Sequence, residues 1–190
     1  YYALHQPHVP RVPSKRFQGA TKLGARGDVI AEMDWCIGEL LDKLEELGIR
    51  EETILIFSSD NGPVLDDGYR DQARELNGTH RPAGALRGGK YSRFEGGTRI
   101  PFLVSCPGLV RRGVSDALIG QVDLYASFAH MLGVSLSDED AADSCDLYSA
   151  LIGAEPEGRT EILTEDLGCR KMLRVKNWVY LSPGEGSPYM

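Results

Sequence analysis

The chain has 190 residues, 42% hydrophobic and 26% charged, the size and balance of one substantial globular unit with room for the start of a second. A formal net charge of -7 and a pI near 5.1 exclude a general nucleic-acid binder, whose footprint is a basic patch or stripe, so an anionic ligand must be met by local positive charge. The longest apolar runs, such as residues 54–57 and 102–104, fall far short of the roughly 18 residues that cross a bilayer as a helix.

In chain order, residues 1–4 read as a short strand, which Pro7 and Pro10 break into a loop carrying His5 and His8, because proline cannot donate to a ladder. The opening Tyr-Tyr-Ala-Leu-His has no initiator Met and no charged or long apolar leader, so it reads as the middle of a strand with residues expected upstream. Residues 11–27 are basic, with Gly and Pro, and read as an extended surface connection. Val29, Ile30, Met33, Ile37, Leu40, Leu41, Leu44 and Leu47 then recur at helical spacing, predicting an amphipathic helix with Asp28 as N-cap and Gly48 as its stop. Residues 53–57 are β-branched and aromatic, as expected of a strand buried on both faces. The polar, turn-rich residues 63–85 form a connection long enough to be a functional loop. A second buried strand is predicted at 100–105, helices at 121–132 and 147–152, a linker at 153–159, and antiparallel strands at 161–164 and 173–181. The helix-then-strand alternation gives an α/β fold over residues 1–154, followed by the start of a small antiparallel subdomain over 155–190. Cys36, Cys106, Cys145 and Cys169 lack zinc-type spacing and read as ordinary buried thiols.

Three turns concentrate the chemistry: Ser59-Asp60-Asn61-Gly62, Leu86-Arg87-Gly88-Gly89-Lys90 and Glu95-Gly96-Gly97-Thr98-Arg99. Asp60 and Asn61 follow a predicted buried strand, where open α/β sheets place ligands. They are either plain turn formers or a pair of hard oxygen donors for calcium or magnesium, with one formal charge between them. Lys90 ends a Gly-x-x-x-x-Gly-Lys run, but Tyr91 replaces the Ser or Thr of a phosphate loop and residues 71–83 are too polar for its strand. A nucleotide loop is therefore rejected, leaving either a solvated surface lysine or one presented between glycines to an anion. His5 and His8 are either polar surface residues or candidate general acids near neutral pH. Asp66, Asp67 and His80 lie in the long loop, in reach of a substrate, and Glu95 and Arg99 read as a structural pair anchoring a turn.

Taken together, Pro7-His8-Val9-Pro10, Ser59-Asp60-Asn61-Gly62-Pro63, Gly88-Gly89-Lys90, Glu95-Gly96-Gly97-Thr98-Arg99, Cys106-Pro107-Gly108 and the helix start Gly27-Asp28-Val29-Ile30 resemble the type I, formylglycine-dependent sulfatases of the alkaline phosphatase superfamily. The resemblance covers about residues 1–135 and implies part of a mixed sheet flanked by helices. It implies calcium on Asp60 and Asn61, sulfate on Lys90, and His8 as the acid that protonates the departing alcohol. His5 is the alternative acid, and His5 and His80 are expected beside the substrate. The family's formylglycine arises from Cys or Ser in C/S-x-P/A-x-R, a context that none of the four cysteines has, which places the nucleophile upstream of Tyr1. The chain alone is thus expected to be inactive, to bind calcium poorly, and to associate through exposed sheet edges or with the remaining N-terminal part of the domain. The expected substrate is a sulfated carbohydrate or aryl sulfate, and the expected compartment periplasmic, secreted or lysosomal. The alternatives are a non-catalytic sulfatase-like binding protein, or a phosphatase or phosphonate hydrolase of the same superfamily.

Overall fold

The computed structural model describes residues 1–183, and its longest element is helix α1 (Gly24–Glu46). Residues 1–5 form no strand, contrary to the sequence reading; no described segment offers them a ladder, and Tyr1 and Tyr2 stand exposed. Helix α1 begins one turn before Asp28, with Leu23 at the cap, whose own side chain makes no capping bond. Asp28 instead fastens the incoming loop, its carboxylate accepting the N–H groups of Gly19 and Thr21, both at 2.8 Å, and the Thr21 hydroxyl at 3.0 Å. The stop at Gly48 is as expected: with φ at +69° its N–H reaches Glu45, and the Ile49 N–H reaches Leu44, which closes the last helical carbonyls.

After a 3-10 turn (Arg50–Glu52), strand β1 (Leu55–Ser58) pairs antiparallel with β2 (Phe102–Ser105), Leu55 opposite Ser105 and Ser58 opposite Phe102. Both strands are half-buried where the sequence predicts burial on two faces, and Leu103 is exposed. On one face Ile56 and Val104 join Phe128, Met131, Tyr148 and Leu151 around an apolar cleft under helices α3 (Leu124–Met131) and α4 (Tyr148–Leu151). Between the strands lies the short helix α2 (Glu95–Thr98). Ahead of α3, the 3-10 turn Gln121–Asp123 places Asp123 at zero exposure. Its carboxylate accepts the Gly120 and Cys145 N–H groups and the Arg159 guanidinium, at 2.6 to 2.9 Å, so one buried anion ties three segments together.

Strands β3 (Glu161–Glu165), β4 (Lys171–Val175) and β5 (Trp178–Leu181) form a second antiparallel sheet. The single strand expected at 173–181 is a hairpin, because Lys176 takes a φ of +51° and with Asn177 makes a two-residue turn. Met172 packs inward, whereas Leu163, Trp178 and Tyr180 share the exposed face. Arg174 pairs with Glu95, and Arg93 donates to the carbonyl of Ser182, so the sheet docks on the N-terminal end of α2. Glu95 therefore pairs across the chain and not with Arg99, whose backbone N–H alone reaches it. The last residues of the expected 155–190 unit, 184–190, lie outside the described part. All four cysteines are free, and only Cys106 is buried; Cys145 and Cys169 are exposed because they sit in polar loops.

Candidate functional site

The three glycine turns nest backbone on backbone. Gly62 donates its N–H to Gly97 at 2.8 Å, Lys90 donates its own to Pro63 at 2.9 Å, and Gly96 reaches Arg87 at 2.7 Å. A Cβ on Gly62 would stand 1.8 Å from the Gly96 carbonyl oxygen, one on Gly96 2.3 Å from that of Gly88, and one on Gly89 2.5 Å from that of Pro63. No side chain fits at these contacts, which is the physical reason for glycine in all three motifs. The stack brings the ends of β1 and of the 63–85 loop against the lysine turn.

Lys90 is presented inward, its side chain only 15% exposed. Its ammonium lies 3.3 Å from Nε2 of His8, 82 residues away in sequence, and 3.3 Å from Oδ2 of Asp67. The Tyr91 hydroxyl donates to the other Asp67 oxygen at 2.5 Å, from a backbone held at a φ of +74°. Nδ1 of His8 sits 2.7 Å from the Val9 carbonyl, so Nδ1 carries the hydrogen and Nε2 is the nitrogen left to face Lys90. The Tyr91 hydrogen bond, and then Lys90, hold the Asp67 carboxyl below the usual carboxylate range against the opposing pull of burial. Burial works to lower Lys90, but Asp67 and Tyr91 outweigh it and raise the ammonium above the ordinary lysine value. Tyr91 is raised chiefly by its bond to Asp67. The result is a cation fixed in its charged form beside a ring nitrogen of His8, at a point where His8 is 61% exposed and open to a ligand.

Asp60 and Asn61 sit in the same stack, at the end of β1, which Gln121 secures by donating to Ser58 Oγ and to the Ser59 carbonyl. Asp60 is exposed, and Asn61 gives its amide N–H to Gly62 at 2.8 Å, leaving Oδ1 without a donor among the described residues. These are hard oxygen donors of the kind calcium takes, but two donors and one charge do not complete its six to eight oxygens. No group of three or more His, Cys, Asp or Glu suited to a metal occurs among the described residues. His5 and His80 are exposed and stay outside the His8–Asp67–Lys90 group, and Asp66 turns outward toward Arg74.

Sequence reasoning named Asp67 as a loop residue in reach of a substrate and treated Tyr91 as a phosphate-loop mismatch; their pairing needs a fold that joins residues 8, 67 and 90. It missed Arg11 altogether. That side chain is 3% exposed and donates to the carbonyls of Pro7 at 3.0 Å, Val64 at 3.1 Å and Leu65 at 3.2 Å, and to the Asp71 carboxylate at 2.8 Å. One arginine in a basic run carries no signal of such a place.

The Sulfatase family model matches residues 1–134. The chain is 44% identical over 185 residues to an N-acetylgalactosamine-6-O-sulfatase of Bacteroides thetaiotaomicron, covering 97% of this chain and 36% of that protein. It is 33% identical over 162 residues to arylsulfatase A of Homo sapiens, covering 85% and 30% respectively. A solved structure from work on glycosaminoglycan metabolism in Bacteroides thetaiotaomicron superposes with a TM-score of 0.92 at 44% identity, covering 96% of this chain and 38% of that one. The chain thus spans about a third of the length of the curated relatives it matches.

Proposed function

The chain belongs to the sulfatase family, and from that membership we propose that it supplies the sulfate-gripping and proton-donating side of a site that hydrolyses sulfate esters of a glycan or aryl alcohol. The observation that carries this reading is the 3.3 Å approach of Lys90 Nζ to His8 Nε2 in an otherwise acidic chain. In the proposed reaction Lys90 binds the anionic oxygens, which compete with the Asp67 carboxylate for its ammonium, and stabilises charge as it develops on the leaving oxygen. His8 turns Nε2 toward Lys90 and the open side of the site, and from it, once protonated, donates to the departing alkoxide. Asp60 and Asn61 would hold calcium as two donors of a larger shell, where the ion would offset negative charge on the sulfate group. His5 and His80, both exposed, are proposed as contacts to the alcohol portion of the substrate.

No Cys or Ser among the 190 residues stands in C/S-x-P/A-x-R, so this chain by itself is proposed to have no turnover on sulfate esters. The relative named as an N-acetylgalactosamine-6-O-sulfatase favours a sulfated amino sugar as substrate. An exported or lysosomal compartment is proposed with the family; no helix among the described residues is long and apolar enough to cross a membrane. The test is a chimera in which these residues replace the matching segment of the 44%-identical Bacteroides protein. Release of sulfate from N-acetylgalactosamine 6-sulfate is expected, falling about 100-fold or more with Lys90→Ala or His8→Ala. A folded chimera without activity, or one indifferent to both substitutions, overturns the reading.

A further inference from the structure

We infer that Arg11 is a positioning residue that sets the distance between His8 and the Asp67–Lys90 pair, an inference that rests on the site reading above. His8 has an exposed side chain, and its one other ring contact is to its own neighbour Val9, so its place is decided by its backbone. The peptide preceding it ends in the Pro7 carbonyl, which accepts from Nε of Arg11. The terminal nitrogens of the same guanidinium hold the Val64 and Leu65 carbonyls, three and two residues before Asp67, and the carboxylate of Asp71, four residues after it. Asp67 in turn holds Lys90 and Tyr91. A single planar, buried fork therefore joins the loop carrying the imidazole to the loop carrying the carboxylate, through acceptors on both.

The chemistry requires arginine. Five N–H donors in fixed geometry serve four acceptors at once, whereas a lysine at this position serves one or two and has no rigid plane to set their spacing. With the side chain 3% exposed, the guanidinium is closed off from solvent, so water does not replace a lost bond without opening the loops. Asp71 supplies the counter-charge that allows the cation to be buried. Arg11 touches neither Lys90 nor the imidazole, so it acts through the two loops and not on a ligand.

The test reads the coupling directly and involves no sulfate ester. With the imidazoles labelled in 15N, Asp67→Asn in the otherwise unaltered chain is expected to move the His8 Nε2 resonance, because the carboxylate oxygen lies 4.0 Å from that nitrogen. In an Arg11→Lys background the same Asp67→Asn change is expected to move it by less than a third as much, while the α1 amide signals stay in place. An undiminished response in Arg11→Lys overturns the inference. If Arg11→Lys does not fold, Asp71→Asn keeps the three carbonyl bonds and loosens the fourth, and a response there equal to the parent's overturns it equally. In the active chimera, Arg11→Lys should lower kcat about 100-fold with KM changed less than threefold, the signature of a displaced reacting group. Retained coupling with an inactive chimera would count against the sulfatase reading alone, and lost coupling with intact kcat would count against the positioning role.

Discussion

Tyr91 occupies a conformation that a non-glycine residue adopts at a cost of about 1 kcal/mol or more, and its hydroxyl is what the strain obtains: a short bond to Asp67. Tyr91→Phe removes the first cause of the lowered Asp67 carboxyl, so the Asp67 titration measured by NMR should move up toward the ordinary aspartate range, while Lys90 remains paired. An unmoved titration would mean that Lys90, not Tyr91, fixes the carboxylate. Asp123 is the corresponding residue of the framework. Asp123→Ala strips the carboxylate partner from Arg159 and orphans two backbone donors, and should lower unfolding free energy in urea by about 3 kcal/mol or more. A loss below 1 kcal/mol would show that these segments hold one another by packing alone.

The helix stops and the glycine stack are where sequence and structure agree most closely, because both are dictated by backbone sterics. Gly133 repeats the Gly48 arrangement, donating to His130 while Val134 reaches Ala129, and Gly133→Ala should cost about 1 kcal/mol in a thermal or urea melt. Gly96→Ala is different in kind. Its methyl meets a carbonyl oxygen instead of open space, so the Lys90 turn must shift even if α1 and α3 are unchanged, and far-UV CD should remain while the Lys90–His8 contact is lost. Periodicity found α1, α3 and both sheets, since hydrophobic spacing is local. It misplaced the start of α1 because Asp28 has an equally good use one turn inside the helix, bonding to Gly19 and Thr21. It could not find the hairpin turn at Lys176, which carries no glycine, or the pairing of Glu95 with Arg174, which spans 79 residues. The motifs that presented Asp60, Asn61, Lys90 and His8 were legible as residues; that His8 and Lys90 meet, and that His5 and His80 do not join them, are properties of the fold.

Across the whole molecule, Asp28, Asp67, Asp123 and Asp166 all have carboxyls held below the ordinary range by native bonds that outweigh burial where it opposes them. Each adds stability that is present above the unfolded aspartate value near 4 and is lost as pH falls through its lower folded value. Lys90 has the opposite sign: its contribution is full below the unfolded lysine value, about 10.4, and disappears as pH rises through its raised folded value. Urea midpoints should therefore be flat from about pH 6 to 9 and fall steeply below about pH 4. A midpoint that rises in acid would contradict the carboxylate bonds. The docking of the small sheet on the α2 turn has a consequence for motion. Arg93 and Glu95, its two anchors, are three and five residues beyond Lys90, so whatever orders the lysine turn also clamps β4 and β5. By reciprocity an anion seated at Lys90 should slow amide deuteration in the hairpin, and Arg174→Ala should weaken that anion by the same factor from a residue that never meets it.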